Sequence, residues 1–246
     1  MPKINKLTKI TVLLFFASFS SIIAQNNVKN VLELYKSRVE KDKEYQVNLT
    51  YKIYKGHSET LAYEVQKGTF YKKLNNSYTN LSNVEIINTA NTYLKINHDE
   101  KAILIDNGVE KPEDLHLGLE ELFKYLDAKI IEEDSKIWKI KLTPKGSITQ
   151  LPFNQLIIEL DKRTYRLKRQ LFYYLAKMNF SDDLRKSDEA NVKLEVLFDG
   201  YKTSNLEALN KVFTIERYIK KEKEAYKPLG AIRQYEVVNL KTNKEL

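Results

Sequence analysis

Apolar and polar residues alternate through most of this chain. In "YQVNLTYKIY" (45–54) the residues Tyr45, Val47, Leu49, Tyr51 and Ile53 interleave with Gln46, Asn48, Thr50 and Lys52. That is the period-two pattern of a strand with one apolar face. The same pattern predicts strands over 61–74, 78–82, 84–90, 92–97 and 101–106, separated by turns at "GHSE" (56–59), "NNS" (75–77) and "NHD" (97–99). Hops this short imply an antiparallel meander. A helical period replaces the alternation at two places. Val28, Val31, Leu32, Tyr35 and Val39 form one stripe and predict a helix over 27–41. Pro112 suits a first helical turn, Glu113 and Asp114 suit its positive end, and Leu115, Leu119, Leu122, Phe123 and Leu126 form a second stripe. Together they predict a helix over 112–127.

Strands resume over 128–133, 136–144, 155–161 and 164–175. The polar stretch 178–190 is the best internal boundary, and 192–198 alternates again. Beyond it, 204–210 reads as a short helical segment, and 212–219 and 232–240 read as strands. Helices segregated from strands predict an α+β fold: a large curved antiparallel sheet, an unclosed β-barrel, covered by a few helices.

The amino terminus departs from this pattern. Lys3, Lys6 and Lys9 precede the apolar run "ITVLLFFA" (10–17), and small residues lead to Ala24–Gln25. This is the layout of a cleaved signal peptide, and the run is shorter than the roughly 20 apolar residues that span a bilayer. The expected organisation is therefore a signal peptide (1–24), an unclosed barrel with lid helices (25–177), and a strand-rich extension packed on the same domain (178–246). The absence of cysteine excludes disulfides, thiolate metal sites and a lipid-modified cysteine. A periplasmic location is the simplest destination. The formal net charge of +8 includes the three leader lysines, and the remaining modest excess favours contact with anionic surfaces, lipid head groups included, while nucleic acid is not an expected partner of an exported chain.

Catalytic chemistry is hard to assemble. His57, His98 and His116 share no metal-ligand or triad spacing. "NHDE" (97–100) reads as a solvated hairpin tip, and Glu132, Glu133 and Asp134 as a turn after a strand. "RYIKKEKEAYK" (217–227) reads as a mixed-sign solvated hairpin. No catalytic residue, metal ligand or cofactor site is assigned, and the chain is not expected to be an enzyme. Sixteen tyrosines and ten phenylalanines instead furnish strand surface that suits either a packed core or an apolar cavity.

The order of elements, with "KGTFYKKLNNSY" (67–78), Thr89 to Ile96, "WKIKLTPK" (138–145) and "LIIELDKRTYRLKR" (156–169), resembles the periplasmic outer-membrane lipoprotein carrier (LolA/LolB-like) family. The resemblance covers residues 27–175. It implies an unclosed barrel with helices as a lid and a cavity that binds acyl chains. On that reading Val47, Leu49, Tyr51, Val65, Phe70, Leu94 and Ile96 are candidates for the sheet lining. Leu115, Leu119, Leu122 and Phe123 would form the lid's inner face. The implied partners are a lipid or an acylated lipoprotein, with transient contact to envelope membrane proteins, and the chain would be a monomer. A non-catalytic envelope assembly component with a filled core is the alternative.

Overall fold

The computed structural model describes residues 28–108, 123–146, 151–183, 185–223 and 225–241. A helix over residues 28–41, α1, precedes a twelve-stranded sheet. The strands are β1 (Glu44–Lys55), β2 (Glu64–Lys73), β3 (Asn76–Leu81), β4 (Val84–Asn88), β5 (Tyr93–Asn97), β6 (Ala102–Asp106), β7 (Leu126–Glu133), β8 (Ile137–Pro144), β9 (Phe153–Asp161), β10 (Leu167–Asn179) and β11 (Glu189–Lys202). A two-stranded hairpin, β12 (Ile219–Glu222) and β13 (Ala225–Pro228), and a last strand, β14 (Glu236–Asn239), follow. The order across the large sheet is β14-β6-β5-β4-β3-β2-β1-β11-β10-β9-β8-β7. The sheet is curved and its outer strands β7 and β14 do not meet, so it stays an unclosed barrel of the α+β class.

Three expectations change. The sheet is antiparallel except at β14, which runs parallel to β6. The helix predicted over 112–127 does not include its last residues. Residues 123–125 form a turn and Leu126 opens β7, because Leu126 and Ala128 share the apolar parity of that strand. The part over 112–122 lies outside the described residues, as does the leader over 1–24. The segment 212–219 is not one strand: it lies in 3-10 turns over Glu207–Phe213 and Ile215–Arg217 before β12 begins. Val212, Ile215 and Tyr218 recur every three residues, which is the 3-10 period. The polar stretch 178–190 spans the end of β10, the connection and the start of β11, and β11 lies in mid-sheet between β1 and β10.

Register determines which face each residue joins. Val47 pairs with Phe70, Leu49 with Phe198, Tyr51 with Val196. Farther out, Phe172 pairs with Leu156, which pairs with Leu142. All of these face α1, whose Val28, Val31, Leu32 and Tyr35 pack among them in one core. Across β2 and β3 the apolar parity changes. Tyr71 pairs with Tyr78, Tyr78 with Ile87, Ile87 with Leu94, and Leu94 with Ile105. By register this set lies on the face opposite α1. Residues 213–237 cover it, with Ile219, Ile232, Phe213, Tyr218 and Tyr235 packed against Ile87, Leu94, Ile96, Ile103 and Ile105. Phe213 also stacks on Tyr71, ring centroids 5.2 Å apart.

Gly68 stands opposite Leu81 in the strand pair that adjoins this change of face. A Cβ there would lie 2.1 Å from the carbonyl oxygen of Asn80, so only glycine permits the close approach of the two backbones. Gly68→Ala is therefore expected to destabilise the protein by on the order of 2 kcal/mol. A thermal melt checks this, and an unchanged midpoint would mean the two strands can separate freely.

Candidate functional site

α1 meets the sheet through a single stripe, and beside its first turns lies an open groove of about 470 Å³. Val28 and Leu32 form the helix side, and Phe123, Leu126 and Ala128 form the floor at the β7 edge. The rim is charged: Lys29, Glu33, Lys36, Asp127 and Lys145. Lys145 Nζ also donates to the carbonyls of Phe123 and Lys124, at 3.5 and 3.2 Å, and so fixes the turn that presents Phe123. An apolar floor with a charged rim can remove a hydrocarbon chain from water while a polar head stays outside.

The candidate lining residues do not share one place. Val47, Leu49, Tyr51 and Phe70 lie together under α1, and Val47 and Leu49 are 0% and 1% exposed. Val65 pairs with Lys52 on the other face and is half exposed. Leu94 and Ile96 are fully buried, but in the core beneath residues 213–237. Phe123 packs at the margin of the α1 core and lines the groove. Leu115, Leu119 and Leu122 lie outside the described residues.

Two side chains escaped the sequence reading. Arg166 ties down the end of α1: its Nε and Nη2 donate to Asp42 Oδ2 at 3.1 and 2.9 Å. Its guanidinium also lies 5.0 Å from the centre of the Tyr201 ring, and Arg38 pairs with the same Asp42. The helix is thus fastened by ion pairs at its carboxyl end and by apolar packing along its length. Gln170 lies on the α1 face, between Ile158 and Val196, and is 2% exposed. Its Nε2 has no hydrogen-bond acceptor among the described residues. Neither had a local signal, since each depends on strands far away in sequence.

The acidic and histidine clusters resolve into structural roles. Asn97 Oδ1 accepts the backbone N–H groups of Asp99 and Glu100, which makes "NHDE" an Asx-type turn. His98 is bracketed by Glu85 at 2.9 Å and the Tyr235 hydroxyl at 3.0 Å, a link between the sheet and the carboxyl-terminal cover. His57 lies 2.9 Å from the Tyr174 carbonyl, and His116 lies outside the described residues. Glu132 pairs with Lys139 and Glu133 with Lys162, while Asp134 accepts two backbone N–H bonds that hold its carboxyl below the usual range. Among the described residues, no group of three or more histidine or carboxylate side chains could hold a metal ion.

On the face away from α1 a row of alternating charge crosses six strands. Glu132 pairs with Lys139, Lys139 neighbours Glu159, Glu159 pairs with Arg169, and Arg169 and Lys52 both pair with Glu195. Burial acts to raise the pKa of Glu195. The hydrogen bond from Tyr54, at 2.5 Å, together with Arg169 and Lys52, outweighs it and holds the carboxyl below its ordinary value. The Tyr54 hydroxyl is pushed up to about 12, first by desolvation and then by the same carboxylate.

No protein-family model and no curated protein matches the sequence. Solved structures that resemble this chain include a LolA superfamily protein. That protein, from Nitrosomonas europaea, is 12% identical over 76% of this chain and 96% of its own, with a TM-score of 0.33. An uncharacterised conserved protein from Thermus thermophilus is 14% identical over 85% of this chain and 98% of its own, with a TM-score of 0.46. The lipoprotein LppX from Mycobacterium tuberculosis is 8% identical over 72% of this chain and 95% of its own, with a TM-score of 0.41.

An unpaired buried amide donor costs about 1–3 kcal/mol. Gln170→Leu is therefore expected to stabilise the protein by about 1 kcal/mol, seen as a rise of about 2–4 °C in the melting midpoint. A fall would show that the amide has an essential partner. A second expectation concerns acid. The folded pKa of Glu195 lies below the unfolded value. Its contribution is therefore complete above the ordinary glutamate range, about 4.3, and is lost as pH falls through the lower folded value. In urea titrations from about pH 6 to pH 2, wild type should lose stability more steeply than Glu195→Gln. Parallel curves would remove Glu195 from the acid response.

Proposed function

We propose that this chain is an exported, periplasmic carrier that holds acyl chains, of a lipid or of an acylated lipoprotein, between α1 and the sheet. The observation that carries the reading is the open apolar groove between Val28 and Leu32 on the helix and Leu126 and Ala128 on β7. Val28, Leu32 and Leu126, which line it, also belong to the apolar core that α1 covers. Each methylene group buried there contributes about 0.8 kcal/mol, so a chain of ordinary length can drive its own uptake. A longer chain would enter by displacing α1 from that face, with the Arg166–Asp42 pair holding the far end of the helix. Binding of this kind needs no catalytic group. The basic leader with its apolar run supports export.

A second reading, an envelope assembly component with a filled core, has one observation on its side: Val47 and Leu49 are shut from solvent beneath α1.

Native mass spectrometry of the mature protein purified from the periplasm decides between them. The carrier reading expects a co-purifying lipid mass that a mild organic wash removes. Ala128→Trp, which fills the groove from the strand side, should abolish that mass while the melting midpoint stays close to wild type. A clean apo mass with no uptake of added phospholipid or acylated peptide would favour the filled-core reading.

A further inference from the structure

The largest cleft described lies on the other side of the molecule, where the carboxyl-terminal cover meets the turn between β4 and β5. It holds about 860 Å³, towards the upper end of the roughly 300–1,000 Å³ that small-molecule sites occupy. Its lining combines the apolar Phe213, Ile215, Ile219 and Leu229 with Lys220, Lys221 and Lys241, and Glu216 is the one acid among the described lining residues. Lys220 is offset by Glu222, 3.6 Å away. Lys221 and Lys241 have no carboxylate within ion-pair distance among the described residues. Lys241 Nζ instead donates to two neutral acceptors, the Asn91 carbonyl at 3.0 Å and Thr92 Oγ1 at 2.8 Å. An ammonium has three donors, so one is left over.

Two cations side by side in a partly buried cleft repel each other unless an anion lies between them. Desolvation, and then the charge of Lys221, hold Lys241 below the ordinary lysine value, with Asp106 opposing. Asp106 and the two neutral acceptors of Lys241 offset part of that repulsion, and an anion in the cleft would offset more. The apolar residues of the cleft also cover Ile87, Leu94 and Ile105, so one side of Phe213 and Ile215 serves the core while the cleft takes the part they leave accessible.

We propose that this cleft binds a single-chain anionic amphiphile, its carboxylate or phosphate head between Lys221 and Lys241 and its hydrocarbon chain along Phe213, Ile215, Ile219 and Leu229. The site is independent of the groove beside α1 and lies on the opposite face of the sheet.

The test is photolabelling of the full mature chain with a diazirine-bearing dodecanoate, followed by peptide mapping. Label should appear within 213–229. Dodecanoate and dodecyl phosphate should compete for it, which covers both head groups. Dodecanol and inorganic phosphate at equal concentration should not. Lys221→Gln combined with Lys241→Gln should reduce this labelling roughly tenfold with an unchanged circular-dichroism spectrum. Ala128→Trp should leave it intact, which separates the outcome from that of the groove. Label confined to 28–36 and 123–128, label that survives the double substitution, or displacement by dodecanol or by inorganic phosphate alone would overturn the proposal.

Discussion

The apolar residues of this sheet change faces part-way across, and one covering layer cannot bury both sets. From β1 through β11 to β7 the main apolar core looks towards α1, and the reverse face carries the charge row that runs from Glu132 to Lys52, with Tyr54, Ile157 and Leu171 buried beside it. From β3 to β6 the buried apolar side chains look the other way, and the α1 side mixes the polar Ser77, Thr79, Asn88, Lys95 and Asn97 with Ile86, Tyr93 and Leu104. A sheet of this width gains little by burying one face throughout when its polar residues are arranged like this, because each buried polar group would need a partner. Among the described residues the architecture follows: α1 on one side, the carboxyl-terminal segment on the other, and β1 as the strand that joins the halves through its pairs with β2 and β11.

The two covers differ in kind. The carboxyl-terminal segment is bound by rings and hydrogen bonds, with Phe213 on Tyr71, Tyr235 on His98, and β14 paired to β6. α1 has the Arg166–Asp42 ion pair at one end and an apolar stripe over the rest. Apolar contact is non-directional, so a hydrocarbon chain can replace it at small loss, whereas a strand pair cannot be replaced without leaving backbone groups unsatisfied. Of the two covers, α1 is therefore the one whose contacts can be exchanged, and the carboxyl-terminal segment the one held in a fixed place.

Most of the strands, and α1, were legible because alternation and the 3.6-residue stripe are local. What was not legible depends on register. Val47 and Leu94 look alike in sequence, each an apolar residue in an alternating strand, but four intervening strand pairs put them on opposite faces. The end of the second predicted helix was lost for a related reason: Leu126 satisfies a helical stripe and a strand parity equally. The stretch 212–219 looked extended because its apolar residues cluster, while the spacing that sets its backbone is three. Arg166 and Gln170 acquire their roles from Asp42 and from β9 and β11, which no local pattern announces.

The parallel pairing of β14 with β6 also sets an order in time. In a chain that emerges amino terminus first, β3 to β6 can zip into their hairpins early, but Ile87, Leu94, Ile96, Ile103 and Ile105 stay bare until residues 213–237 arrive. β1, meanwhile, keeps an open edge until β11 appears. The nascent protein therefore spends most of its emergence with a greasy surface and an unpaired strand on display. It is β11 and residues 213–237, rather than the strands made before them, that decide when these surfaces stop being a hazard to neighbouring chains.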